Sequence, residues 1–118
     1  MGRQEFFNQL VEMGYHPIET ANNGLYFEYL VDIGVNQGKR VLMGFENLHD
    51  FPLNAPHGPH FRPIDEGWIN PSGPRAGVHN SNFGQGWVHW SRPFQQWNRT
   101  KKTVKEYLAH IKNLLLII

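Results

Sequence analysis

The sequence contains no cysteine. That excludes a disulfide framework, a thiolate zinc centre and any acyl transfer through a thioester on this chain. Charge is sparse and balanced, with 11 Lys and Arg against 10 Asp and Glu. A net charge of +1 leaves no electrostatic footprint for nucleic acid, so no such partner is expected. The one basic run, residues 99–105, lies at the start of an expected helix and reads as a solvated helix end. Long apolar runs are missing too. The longest, LLLII at residues 114–118, falls far short of the roughly 20 residues that cross a bilayer, so no membrane partner is expected. The N-terminal MGRQEFFNQL is polar and amphipathic, unlike a secretory leader, and Arg3 and Phe6 break a myristoylation pattern. A cytoplasmic protein is expected.

What is present describes a globular chain. Hydrophobic residues make up 40% of 118, enough for one domain over residues 1–118 with its own core. Aromatics reach 14% and crowd the Gly/Pro-rich second half, where large side chains must anchor irregular backbone. Residues 3–13 place Phe6, Phe7, Leu10 and Val11 at helical spacing, with Gly14 as C-cap and Pro17 as a stop. Asn22-Asn23-Gly24 signals a turn. Residues 25–33 alternate Leu25, Phe27, Tyr29, Val31 and Ile33 on one face, which predicts a half-buried strand. Residues 39–45, with Val41, Met43 and Phe45 on one face, predict a second, joined by a hairpin connection at 34–38. Residues 50–63, DFPLNAPHGPHFRP, hold four prolines, which predict an extended path with limited ladder pairing. Residues 64–76 are expected to be irregular and anchored by Trp68. Residues 103–117 predict a helix opened by the capping box Thr103-Val104-Lys105-Glu106, with Val104, Tyr107, Leu108, Ile111, Leu114 and Leu115 on its buried face.

The remaining stretch, residues 77–97, reads GVHNSNFGQGWVHWSRPFQQW. His79-Asn80-Ser81 is followed ten residues after His79 by His89, and eight residues later by Trp97. With Phe51-Pro52, Pro56 and Trp90-Ser91-Arg92, this pattern resembles the ubiquitin-conjugating enzyme (E2, or UBC) family. It is similar in particular to bacterial E2-like proteins encoded with E1-like and JAB-peptidase partners. The chain departs from the family in two places. His57 stands where a second consecutive proline would be, and His89 stands at the position of the catalytic cysteine. The resemblance implies an α+β UBC-like fold: an N-terminal helix, an antiparallel sheet of three to four strands, a Pro/Trp-rich irregular segment and a C-terminal helix. It implies an E1-like adenylating enzyme and a ubiquitin-like modifier as partners, with Arg3, Gln4 and Gln9 of the first helix facing the former. No cofactor is implied.

The chemistry open to such a site is narrow. The oxyanion role of the family's asparagine falls on Ser81 by position, and either flanking amide, Asn80 or Asn82, can substitute for it. A hydroxyl, Ser81 or Ser91, can accept an acyl group as an oxyester if a base activates it, and His79 or His89 titrates near neutrality. An acyl-imidazole on His89 hydrolyses too readily to be a carrier. The blander reading has these histidines bonding loop backbone and the serines capping turns. His57-Gly58-Pro59-His60, with His79 and His89, raises a metal reading, but Gly-Pro prevents the helical presentation that makes such spacing effective. Trp87, Trp90, Trp97 and Arg92 are candidates for a partner-binding platform, with core anchoring the competing role of the tryptophans. The expectation is an E2-like protein without cysteine chemistry. A non-catalytic interaction module of the same fold, or a His-rich metal- or ligand-binding protein, are the alternatives.

Overall fold

A computed structural model describes residues 2–118. Two helices pack on one face of a six-stranded antiparallel sheet. The elements run α1 (Arg3–Glu12), β1 (Ile18–Thr20), β2 (Gly24–Leu30), β3 (Arg40–Phe45), β4 (His60–Pro63), β5 (Val78–Asn80), β6 (Val88–Trp90) and α2 (Val104–Leu116). The strands lie in the order β1-β2-β3-β4-β6-β5. No helix among the described residues is long and apolar enough to cross a membrane.

The strongest periodicities form the frame. In β2, Leu25, Phe27 and Tyr29 are buried, and in β3, Val41, Met43 and Phe45. Alternate side chains of a strand face opposite ways, so both strands turn these residues to the helices. The expected face of α2 is buried in full: Val104, Tyr107, Leu108, Ile111, Leu114 and Leu115. Thr103 caps α2, its hydroxyl accepting the Glu106 N–H at 3.2 Å, and Gln9 of α1 accepts the Val104 N–H at 2.7 Å. In α1, Phe6 and Leu10 are buried, whereas Val11 is 51% exposed. Phe6 meets Phe45 and Phe51 with ring centroids 5.3 and 4.9 Å apart, and Phe45 meets Tyr107 at 5.3 Å. Each fully buried ring contributes on the order of 1.5–3 kcal/mol by leaving water.

Three expectations are corrected. The sheet has six strands, not three to four. The additional strands, β1, β5 and β6, are three residues long, too short to display a period of two. The strand expected over 25–33 ends at Leu30. The Pro-rich segment is mostly unpaired, but its end forms β4, which pairs with β3 on one side and β6 on the other. Pro63 is tolerated because it is the last residue of that strand. The turn at Asn22-Asn23 has positive φ at both residues, 59° and 50°, and closes the β1–β2 hairpin with Gly24 N–H donating to Ala21 O at 3.1 Å. The 64–76 segment is anchored as expected. Trp68 packs on Phe61 at 5.2 Å, and Asn70 Oδ1 accepts from both Trp68 and Trp90 Nε1.

The outer face of the sheet, away from the helices, holds the unexpected feature. The strand register aligns Tyr26, Gly44, His60, His89 and His79 in one row across five strands. Gly44 lacks a Cβ in that row, and the hairpin loop at residues 81–87 folds back to lay Phe83 over it. A Cβ on Gly44 would stand 2.9 Å from the Phe83 ring and 3.3 Å from Leu25 O. Phe83 stacks on Trp87 at 4.7 Å, and Trp87 meets Tyr26 edge-on at 5.7 Å. Gly44→Ala should therefore lift the loop: we expect a loss of about 1–3 kcal/mol in urea unfolding and red-shifted tryptophan emission as Trp87 is wetted.

Candidate functional site

β4, β5 and β6 bring three histidines side by side. Neighbouring residues on antiparallel strands lie about 4.5–5.5 Å apart, so His60, His89 and His79 form a cross-strand ladder on the outer face. His60 and His89 stack nearly parallel, with centroids 4.2 Å apart and planes 11° from each other. His79 is exposed and tilted, 6.5 Å from His89.

His60 is the hub. It is 3% exposed, covered by Phe83 at 4.8 Å. Its Nδ1 lies 2.7 Å from Ser81 Oγ, which also accepts the Phe83 N–H at 3.0 Å. Its Nε2 lies 3.8 Å from Glu46 Oε1, and that oxygen accepts from the Asn82 amide at 3.3 Å. With Ser81 donating to Nδ1, the ring proton sits on Nε2 and faces the carboxylate 3.8 Å away. Burial, and secondarily the neighbouring His89, push the His60 pKa down to about 3. Glu46 favours the charged form but stands beyond hydrogen-bond reach, so burial prevails. His89 is also lowered, first by burial and then by His79 and His57, with Glu46 opposing. Its Nε2 is buried without a hydrogen-bond partner.

A pocket of about 280 Å³ opens beside this ladder, bordered by Glu46, Asn47, His57, His60, His89 and Ser91. On the outer face, a second pocket of about 370 Å³ is bordered by Tyr26, Glu46, Arg62, Asn82, Phe83 and Trp87. Among the described residues, no three His, Cys, Asp or Glu side chains converge as a metal-ligand set. The stack itself explains why. A metal lies in the plane of each imidazole it binds, and the lone pairs of two parallel rings 4.2 Å apart do not converge on one ion at about 2.0–2.1 Å.

The sequence candidates fall as follows. His79 and His89 are direct partners in the β5–β6 ladder, and Asn80 pairs with Val88. Ser81 is half-buried and bonded to His60, not to His79 or His89. Ser91 is exposed. Trp90 is fully buried and Trp97 is 4% exposed. Their indole N–H groups bond Asn70 and Pro52 O, so both anchor the core and neither is presented to a partner. Trp87 packs under the loop at 9% exposure, and Arg92 is half-buried, donating to Ala76 O and Ser91 O. Two residues of the candidate site, His60 and Glu46, stand outside the catalytic candidates of the sequence. His60 enters the sequence reading only as a metal ligand; Gly44 at the end of an apolar strand is the signal that something approaches closely there. Glu46 follows a strand end and gives no pattern.

No family model matches the chain, and no curated protein and no solved structure matches it either.

The ladder should make the fold acid-sensitive. His60 has a folded pKa of about 3 against 6.5 unfolded, so below pH 6.5 the unfolded chain binds the extra proton. Stability is complete above that value and falls as pH drops toward 3. Between pH 7 and pH 5, a window above most carboxylate titration, we expect a loss of about 2 kcal/mol from His60. Urea unfolding across that window measures it, and His60→Asn should flatten the slope.

Proposed function

We propose that the chain is an E2-like protein of a bacterial ubiquitin-like modification pathway, a UBC-like domain that binds the E1-like adenylating enzyme, the modifier or both, without cysteine chemistry. The observation that supports this reading is the pairing of His79 with His89. The two positions that the resemblance makes the start of the His-Asn motif and the acceptor site are ten residues apart in sequence and opposite one another in the sheet. The helical segment after Trp90-Ser91-Arg92 in that resemblance corresponds to α2, and the segment before the site ends in a strand, β4.

Binding without acyl transfer is the form the geometry favours. Ser81 Oγ is held by the Phe83 N–H and His60. His60, with a pKa of about 3, is too weak a base to activate a hydroxyl at neutral pH, since efficient general bases titrate near the working pH. Among the described residues, no imidazole is hydrogen-bonded to the Ser91 hydroxyl. This matches the non-catalytic alternative more closely than an oxyester carrier.

Reconstitution with the E1-like partner, the modifier and ATP tests the proposal. We expect saturable binding to the partner or the modifier by calorimetry, and no covalent adduct on non-reducing electrophoresis. A base-labile adduct that disappears in Ser81→Ala or Ser91→Ala would establish transfer through a hydroxyl instead. Absence of both binding and adduct would remove the E2-like reading.

A further inference from the structure

On the outer face of the sheet, the hairpin loop at residues 81–87 and the β1–β2 turn leave a cleft of about 370 Å³ between them. Leu42 and the rings of Tyr26, Phe83 and Trp87 line its apolar part. Ligand sites have this composition, apolar walls with a few placed polar groups.

The polar groups beside those rings are donors without a partner. Trp68, Trp90 and Trp97 each bond their indole N–H inside the chain. Trp87 does not. It is only 9% exposed, yet its Nε1 keeps access to solvent instead of being buried unpaired. The hydroxyl of half-buried Tyr26 is open in the same way. Arg62 forms no ion pair among the described residues. Its stem lies along Gly86 of the loop, where an added Cβ would stand 3.5 Å from Arg62 Nε and 3.8 Å from its Cγ. The loop thus holds the side chain at the rim of the cleft.

A cation and two neutral donors beside aromatic walls fit a planar anion with an apolar body. A carboxylate meets the guanidinium fork through two parallel hydrogen bonds. Glu46, the one carboxylate bordering the cleft, lies at its other end. Arg62 pairs with Leu42, and Glu46 stands four residues further along the chain, roughly 13 Å at strand spacing. It accepts the Asn82 amide there at 3.3 Å. Glu28 pairs with Leu42 from the opposite side and does not border the cleft.

We propose that this cleft binds an aryl carboxylate, with Arg62 as counter-charge, the Trp87 N–H and Tyr26 hydroxyl as further donors, and the aryl ring against Tyr26 and Phe83. Nothing in this site depends on the E2-like reading, and either can fail alone. Free aryl acids and the C-terminal aromatic residue of a peptide share this chemistry, and the test separates them.

The probe is 3-phenylpropionate, titrated into the full chain at pH 7.5 to about 20 mM, a range that reaches millimolar dissociation constants. The four indole N–H resonances report binding by NMR. We expect a saturable shift of the Trp87 signal, with those of Trp90 and Trp97 unmoved. Propionate, which lacks the ring, and 3-phenylpropionamide, which lacks the charge, should each bind at least about tenfold more weakly. Arg62→Met, at an exposed position, keeps the stem and should weaken 3-phenylpropionate by a similar factor. Tighter binding of N-acetyl-phenylalanine than of 3-phenylpropionate assigns the site to peptide C-termini; equal or weaker binding assigns it to free aryl acids. Absence of a saturable Trp87 shift with both acids, equal affinity for the amide, or unchanged affinity in a folded Arg62→Met variant would overturn the proposal.

Discussion

The outer face of the sheet closes around one hydrogen bond, 2.7 Å between Ser81 Oγ and His60 Nδ1. It joins the hairpin loop to β4, where the strand ladder contributes only two residue pairs, His60 with His89 and Phe61 with Val88. Phe83 reaches the sheet only because Gly44 has no side chain, and it then covers His60. Burial in turn keeps the imidazole neutral, which a close parallel stack on His89 requires. Two imidazolium rings at 4.2 Å would repel strongly where water is excluded. The loop and the stack thus meet at one neutral buried histidine, which also borders the pocket.

The parts of the fold that were legible in the sequence are those where burial repeats with a period. Six apolar residues of α2 and the alternation of β2 and β3 each extend over enough turns or pleats to be read. The N-cap of α2 was legible because Thr103 and Glu106 stand at the spacing the geometry demands. β5 and β6 were not, since three residues among Gly77, Gly84 and Gly86 show no alternation. Long-range register alone makes them strands. The same reason hid the candidate site. His60, His89 and Glu46 lie on three segments of the chain, and nothing local to any of them announces the others.

The tryptophans show why residue type is a poor guide to role. Trp90 and Trp97 have the composition of an interaction hot spot, yet both are core side chains whose indole N–H groups are satisfied internally. A chain that must hold two Gly/Pro-rich segments against a small sheet uses its largest side chains as anchors. The exposed polar residues of α1, Gln4, Asn8 and Glu12, and the pocket at the histidine ladder lie outside this anchoring core.

The most direct test of this account is the protonation state of the ladder. Long-range ¹H–¹⁵N correlation spectra of the histidine rings, recorded from pH 7.5 to pH 5, report charge and tautomer for each ring. The account predicts that His60 stays neutral throughout with its proton on Nε2, and that His89 is neutral at pH 7.5. An imidazolium signal from His60 at pH 7, or a proton fixed on His60 Nδ1, would contradict it.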